Sequence, residues 1–320
     1  MSRWGRGRIL SNIMFERILS FYTKYFAIWV VAFGAAAYLF PGPFKALGQG
    51  MDWLFALTMF GIGAVLEAKD FKRIAHRPSI VVVGTAAQYS IMPLTAYAIA
   101  KILNLGPEIT VGLILTASAP GAMSSNVMSY IAKADIAYSV SLTTVSTLLA
   151  PLATPGLTYV LAGSKLDVPF WPMLVDVICM VILPLLAGFG VRHYFKDKIA
   201  RITPVFPAIS ATFIIFICSL VIALNKDYLA NITGIILAAG VAMNVLGMVG
   251  GYTVAWAFQM DVRQRRTLAI EGGMQNAGLG TVLALRHFGQ KAAMPAAAFV
   301  FICIITASIT AAIWQRRPAE

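Results

Sequence analysis

The chain has 320 residues, 59% of them hydrophobic and only 12% charged, with a formal net charge of +12. A soluble domain carries roughly twice that charged fraction. The long uncharged runs therefore exclude an ordinary soluble enzyme and indicate an all-α membrane protein with many spans.

The first segment, residues 1–24, is basic and polar and has no small-residue cleavage site after a short apolar core. It reads as a cytoplasmic arm rather than a cleaved signal peptide. Residues 25–44 hold no charge and end in Pro41-Gly-Pro43, a turn signal. A second span covers 46–66, with Asp52 near its outer end, and a loop bearing Lys69, Lys72, Arg73 and Arg77 follows. The third span, 79–100, contains Gln88 and Pro93.

The fourth span, 109–132, is uncharged but carries Pro120-Gly-Ala-Met-Ser-Ser-Asn126 at its middle. Proline removes a donor and clashes with the preceding turn, so the helix should break there. Backbone groups freed inside a bilayer must face protein, ions or water. The fifth span, 136–162, is lined with Ser139, Ser141, Thr143, Thr144, Ser146 and Thr147. The second half repeats the rhythm with spans at 170–191, 203–224, 229–259, 266–286 and 292–314. Each is long enough to cross roughly 30 Å of hydrocarbon at about 1.5 Å per residue.

Ten spans with a cytoplasmic N-terminus leave only Lys45, Lys101, Lys165, Lys226, Arg286 and Lys291 outside; every other lysine and arginine falls inside. That positive-inside bias supports the count and puts both termini in the cytoplasm, with 315–320 as the tail. It also accounts for the net charge without nucleic acid. A division into five and five gives halves of opposite orientation, the inverted-repeat plan of many secondary transporters. The odd helices occupy matching places: Gly121-Ala-Met-Ser-Ser-Asn126 in the fourth span and Gly272-Gly-Met-Gln-Asn276 in the ninth.

Glu271 is the only glutamate in the middle of an apolar run. An unpaired carboxylate at that depth costs several kcal/mol, and intramembrane charges mark functional sites. No lysine or arginine lies mid-span to pair with it, so it must bind a cation, hold a proton, or do each in turn. Gln88, Ser125, Asn126, Ser139, Thr143, Gln275 and Asn276 offer further oxygens. Oxygen donors without sulfur or imidazole select a hard cation, and one carboxylate favours sodium over magnesium or calcium. The three cysteines lie inside apolar runs and the three histidines near segment ends, so zinc and haem sites are not expected. An intramembrane enzyme would need a second acid or a Ser/His pair at depth, and neither is present.

The chain resembles the bacterial homologues of the bile acid:sodium symporter family. The pieces that carry the resemblance are Phe71-Lys-Arg73 with Pro78, Gln88 with Met92-Pro93, Ser125-Asn-Val-Met128, Ser139 to Thr147, and Glu271 to Leu279. The resemblance implies ten helices in two inverted five-helix repeats, 25–164 and 165–314. Helices one, two, six and seven would form a panel. Helices three to five and eight to ten would form a core in which four and nine are unwound and cross.

It further implies one sodium ion held by Ser125, Asn126, Ser139, Thr143 and Glu271. A second would be held by Gln88, Glu271, Gly272, Met274 and Gln275. An organic anion, bile acid-like or a small carboxylate such as pantoate or ketopantoate, would bind near Met123, Ser124, Asn276 and Cys303. Cys303-Ile304 stands where relatives often carry a His-Asn pair, Met123 where a threonine is usual, and Met243-Asn244 where a His-Asn is common, so the substrate side is the more apolar one. The expected protein is thus a sodium-coupled symporter working by alternating access in a bacterial inner membrane, with no obligate protein partner. A proton-coupled transporter of the same fold is the alternative, and a channel the more remote one.

Overall fold

The computed structural model describes residues 21–22, 26–67, 78–195, 205–226 and 229–317. Most of the basic arm, the Lys69–Arg77 loop with its Phe71-Lys-Arg73 piece, the loop bearing Lys196, Lys198 and Arg201, and the last residues of the tail lie outside these. Among the described residues every regular element is helical.

The elements are α1 (Phe26–Leu39), α2 (Pro41–Leu47), α3 (Met51–Val65), α4 (Pro78–Ile102), α5 (Pro107–Ala117), α6 (Ser124–Ile131) and α7 (Ile136–Ala162). They are followed by α8 (Phe170–Val177), α9 (Leu183–Tyr194), α10 (Phe206–Leu224), α11 (Leu229–Ala257), α12 (Val262–Gly273), α13 (Ala277–His287) and α14 (Gln290–Gln315). Five stretches are long and apolar enough to cross a membrane: Pro78–Ile102, Ile136–Ala162, Phe170–Tyr194, Gly234–Ala257 and Gln290–Gln315. This is a multi-pass membrane protein.

Local chemistry sets several boundaries that hydropathy alone misplaces. Pro41-Gly-Pro43 does not make a turn. The chain kinks at Phe40 (φ −124°, ψ 71°) and starts a new helix at Pro41, because proline suits a first helical turn whose N–H would go unused. The ninth run begins at Val262, ahead of its apolar part. Asp261 and Gln264 form a reciprocal capping box, Asp261 accepting from the Gln264 N–H at 2.9 Å and Gln264 from the Asp261 N–H at 3.2 Å. The π turn Ile178–Ile182 joins α8 to α9 just ahead of Pro184, where a proline disturbs the regular ladder.

The helices pack in two groups. α9 lies along α3, and α10 packs on α1, α2 and α3, with the Phe55 and Phe213 rings 5.1 Å apart. The other group joins α4, α5, α7, α11, α12, α13 and α14. Charged residues tie the groups at one end. Asp176 Oδ2 lies 2.8 Å from His287 Nε2 and 3.1 Å from Arg286 Nε, and Arg286 also reaches Asp52 at 3.3 Å. The Asp176 side chain is only 15% exposed and engaged by both neighbours.

Candidate functional site

The site grows out of two helix interruptions. α5 stops at Ala117, ahead of Pro120, and α6 restarts at Ser124. α12 stops at Gly273, and α13 restarts at Ala277. The two connecting strips lie against each other. Gly121 and Gln275 form an isolated antiparallel bridge. The Ala122 N–H donates to the Met274 carbonyl at 3.0 Å, and the Asn276 N–H to the Pro120 carbonyl at 2.7 Å. Each break thus supplies donors and acceptors for the other, which is how bare backbone survives without water. The C-terminal ends of α5 and α12 and the N-terminal ends of α6 and α13 all meet here.

Glu271, in the last turn of α12, is completely buried. Its Oε1 accepts from Ser125 Oγ and Ser139 Oγ at 2.5 Å each and from Thr143 Oγ1 at 3.2 Å; Thr143 Oγ1 is 3.3 Å from Oε2. Ser139 Oγ also lies 2.8 Å from Asn126 Oδ1. A hydroxyl has one proton, so Ser139 cannot satisfy both acceptors at once. The Thr143 hydroxyl is shared in the same way with the Ser139 carbonyl at 3.0 Å. Oxygens outnumber protons in this cluster. None of the ion pairs among the described residues involves Glu271.

A second group of oxygens lies across the bridge. With its oxygen toward the crossover, the Gln275 carboxamide accepts from Gln88 Nε2 at 3.2 Å but faces the Ala119 and Pro120 carbonyls. Turned over, its nitrogen donates to Ala119 at 2.7 Å and to Pro120 at 3.2 Å. The turned form satisfies both carbonyls but sets the Gln275 nitrogen 3.2 Å from Gln88 Nε2, donor against donor, unless the Gln88 amide turns as well and brings its Oε1 round. The first form leaves three oxygens facing one another, an arrangement that calls for a cation. Gln88 Oε1 and Ser118 Oγ are buried without hydrogen-bond partners among the described residues.

Of the residues singled out from sequence, Ser125, Asn126, Ser139, Thr143 and Glu271 come together in one hydrogen-bonded cluster. Gln88 and Gln275 meet each other, and Gly272 and Met274 flank them on the α12 break. Met123 and Ser124 are half-buried at the start of α6. Asn276 is half-buried and caps α13, its Oδ1 accepting from the Leu279 N–H at 3.1 Å. Cys303 stands apart from this network. It is 3% exposed in the packed interior, with its thiol toward the Val300 carbonyl of its own helix.

Sequence reasoning missed three contributors. Ser146 was named only as one of the hydroxyls lining the fifth span. Its Oγ accepts from the Gly121 N–H at 3.2 Å and so ties α7 to the first break. Ser129 donates to Ser139 at 3.3 Å. Asn244 on α11 donates to the Gly273 carbonyl at 2.7 Å. The spacing of Ser139, Thr143 and Ser146 on one face of α7 was the available signal for Ser146. Asn244 was noted only within Met243-Asn244, where relatives commonly carry a His-Asn, and its partner Gly273 is brought to it by packing.

Residues 53–232 match the model of the Sodium Bile acid symporter family. The chain is 35% identical over 302 residues to an uncharacterized sodium-dependent transporter, YocS, of Bacillus subtilis, covering 94% of each protein. It is 36% identical over 261 residues to the probable chloroplastic sodium/metabolite cotransporter BASS1 of Arabidopsis thaliana, covering 81% of this chain and 65% of that one. It is 31% identical over 305 residues to the probable chloroplastic cotransporter BASS2 of rice, covering 95% of this chain and 73% of that one.

Proposed function

Because the chain belongs to the sodium bile acid symporter family, we propose that it is a sodium-coupled symporter of an organic anion. The observation that carries this reading is the buried Glu271 carboxylate gathering the Ser125 and Ser139 hydroxyls at 2.5 Å each, with no cationic side chain paired to it among the described residues. A sodium ion supplies the missing positive charge. The first ion lies among Ser125, Asn126, Ser139, Thr143 and Glu271. A second lies among Gln88, Glu271, Gly272, Met274 and Gln275, with the Gln275 oxygen turned toward the crossover. The donor that would serve the Gly272 carbonyl in a continuing helix is the Asn276 N–H, which is spent on Pro120 instead. That diverted donor supports Gly272 as a ligand of the second ion.

Two ions against one carboxylate leave a net positive charge. The N-terminal ends of α6 and α13 add partial positive charge beside it, while the C-terminal ends of α5 and α12 favour the cations. An organic carboxylate therefore binds beside Met123, Ser124 and Asn276. Filling the ion sites orders both breaks and so assembles the anion site, a positive coupling between ligands. Two inverted five-helix repeats, a rocking panel and core, and cytoplasmic termini complete the alternating-access reading.

The test is a thermal-shift screen of carboxylates with and without sodium, followed by uptake in vesicles. A ligand that stabilises the protein only when sodium is present identifies the substrate class and the coupling together. Undiminished uptake in sodium-free buffer would overturn the proposal. Uptake driven by acid alone would favour the proton-coupled alternative.

A further inference from the structure

α11 runs past the broken end of α12 and presses one face onto that backbone. Asn244 is fully buried, and its Nδ2 donates to the Gly273 carbonyl at 2.7 Å. One turn further on, Gly247 approaches the Gly272 carbonyl so closely that a Cβ there would lie 2.4 Å from the oxygen. The α11 face therefore meets the last two residues of α12 in different ways: an amide donor at Gly273 and bare backbone at Gly272.

A helix that ends inside a membrane protein must dispose of its last carbonyls. Here each one is handled separately. The Glu271 carbonyl accepts from the Met274 N–H at 3.3 Å, the Gly273 carbonyl from Asn244, and the Met274 carbonyl from the Ala122 N–H. The ordinary helical donor of the Gly272 carbonyl, the Asn276 N–H, is diverted across the crossover to Pro120, as that of the Gly273 carbonyl, the Ala277 N–H, is to Gln275.

Asn244 brings its own cost. Its Oδ1 is buried with no hydrogen-bond partner among the described residues. An unsatisfied buried acceptor costs about 1–3 kcal/mol, and a leucine would remove that cost only by leaving the Gly273 carbonyl without its donor.

We propose that Asn244 is a positioning residue for the second cation. By holding the Gly273 carbonyl toward α11, it fixes the last turn of α12 so that the Gly272 carbonyl, beside Glu271, is turned to the ion. The inference rests on the sodium-coupled reading above. It makes Asn244 a determinant of sodium affinity that touches neither ion nor substrate.

The test compares purified wild type with Asn244→Leu and the smaller Asn244→Ala. Melting temperature is measured across a sodium chloride series, beside uptake in vesicles. The half-saturating sodium concentration should rise about tenfold in both variants, which corresponds to about 1.4 kcal/mol. Uptake at saturating sodium should stay within about twofold of wild type, because a positioning residue alters ion affinity more than the maximal rate. Asn244→Leu exchanges one unsatisfied buried acceptor, its own Oδ1, for another, the Gly273 carbonyl, so its melting temperature without sodium should stay close to that of wild type. Reduced stability in sodium-free buffer with an unchanged half-saturating concentration would assign Asn244 a packing role and overturn the inference. A wild-type protein that sodium does not stabilise at all would instead remove the underlying reading, and this inference with it.

Discussion

Gly121 faces the Glu271 carboxylate across the crossover: a Cβ added to it would stand 2.8 Å from Oε2 and 3.1 Å from Gln88 Nε2. The glycine is needed for space, because the two breaks meet as bare backbone around a buried acid. Gly121→Ala should still insert and fold, since the displaced atoms are side-chain ends. Overpacking typically costs about 1–3 kcal/mol, so the half-saturating sodium concentration should rise by roughly tenfold or more. Sodium-dependent uptake measured at several sodium concentrations checks this, and an unchanged sodium dependence would refute it.

Glu271→Gln keeps the size of the side chain and removes its charge. The buried carboxylate is a cost to the sodium-free fold, since a charge at membrane depth is worth several kcal/mol when unpaired. Glu271→Gln should therefore melt at or above wild type without sodium, gain nothing when sodium is added, and show no sodium-driven uptake. The sign of both melting shifts is the measurement. A proton and a sodium ion compete for the same carboxylate, so acid should raise the half-saturating sodium concentration of the wild type rather than drive uptake in its place.

On the proposed reading Asn276 would have two tasks that a single substitution separates. Its Oδ1 caps α13 through the Leu279 N–H, and an aspartate retains that bond. An aspartate also puts a negative charge where an organic anion is to bind. Asn276→Asp should keep its sodium-induced melting shift and lose at least about 1.4 kcal/mol, roughly tenfold, of anion affinity. Equal loss of both responses would show that Asn276 acts only through the fold.

Pro120 and Gly121 announced a break in an apolar run because a missing donor and a missing side chain are local properties. Glu271 announced a site because burying one charge in lipid is costly wherever the rest of the chain goes. Ser139 and Thr143 were legible as oxygen donors, but so were Ser141, Thr144 and Thr147. In the structure Ser141, Thr144 and Thr147 donate to carbonyls of the preceding turn of α7, while Ser139 turns to Glu271 and Thr143 is shared between Glu271 and the Ser139 carbonyl. Which side of a long buried helix faces the acid depends on neighbours more than a hundred residues away. Cys303, placed near the substrate by resemblance to relatives, lies in the packed interior with its thiol spent on its own helix.

The Glu271-to-Gly280 stretch shows the division. Sequence alone determined that a carboxylate would sit at membrane depth beside glycines and amides, because burial cost and helix-breaking residues are written in order along the chain. Tertiary structure decided which groups that carboxylate would meet. The antiparallel contact of Gly121 with Gln275 brought Ser125, Ser139 and Thr143 onto one oxygen of Glu271 and diverted the Asn276 donor away from Gly272. Coordination needs several oxygens to converge on one point in space, and only packing of the two broken helices against α7 and α11 brings them there.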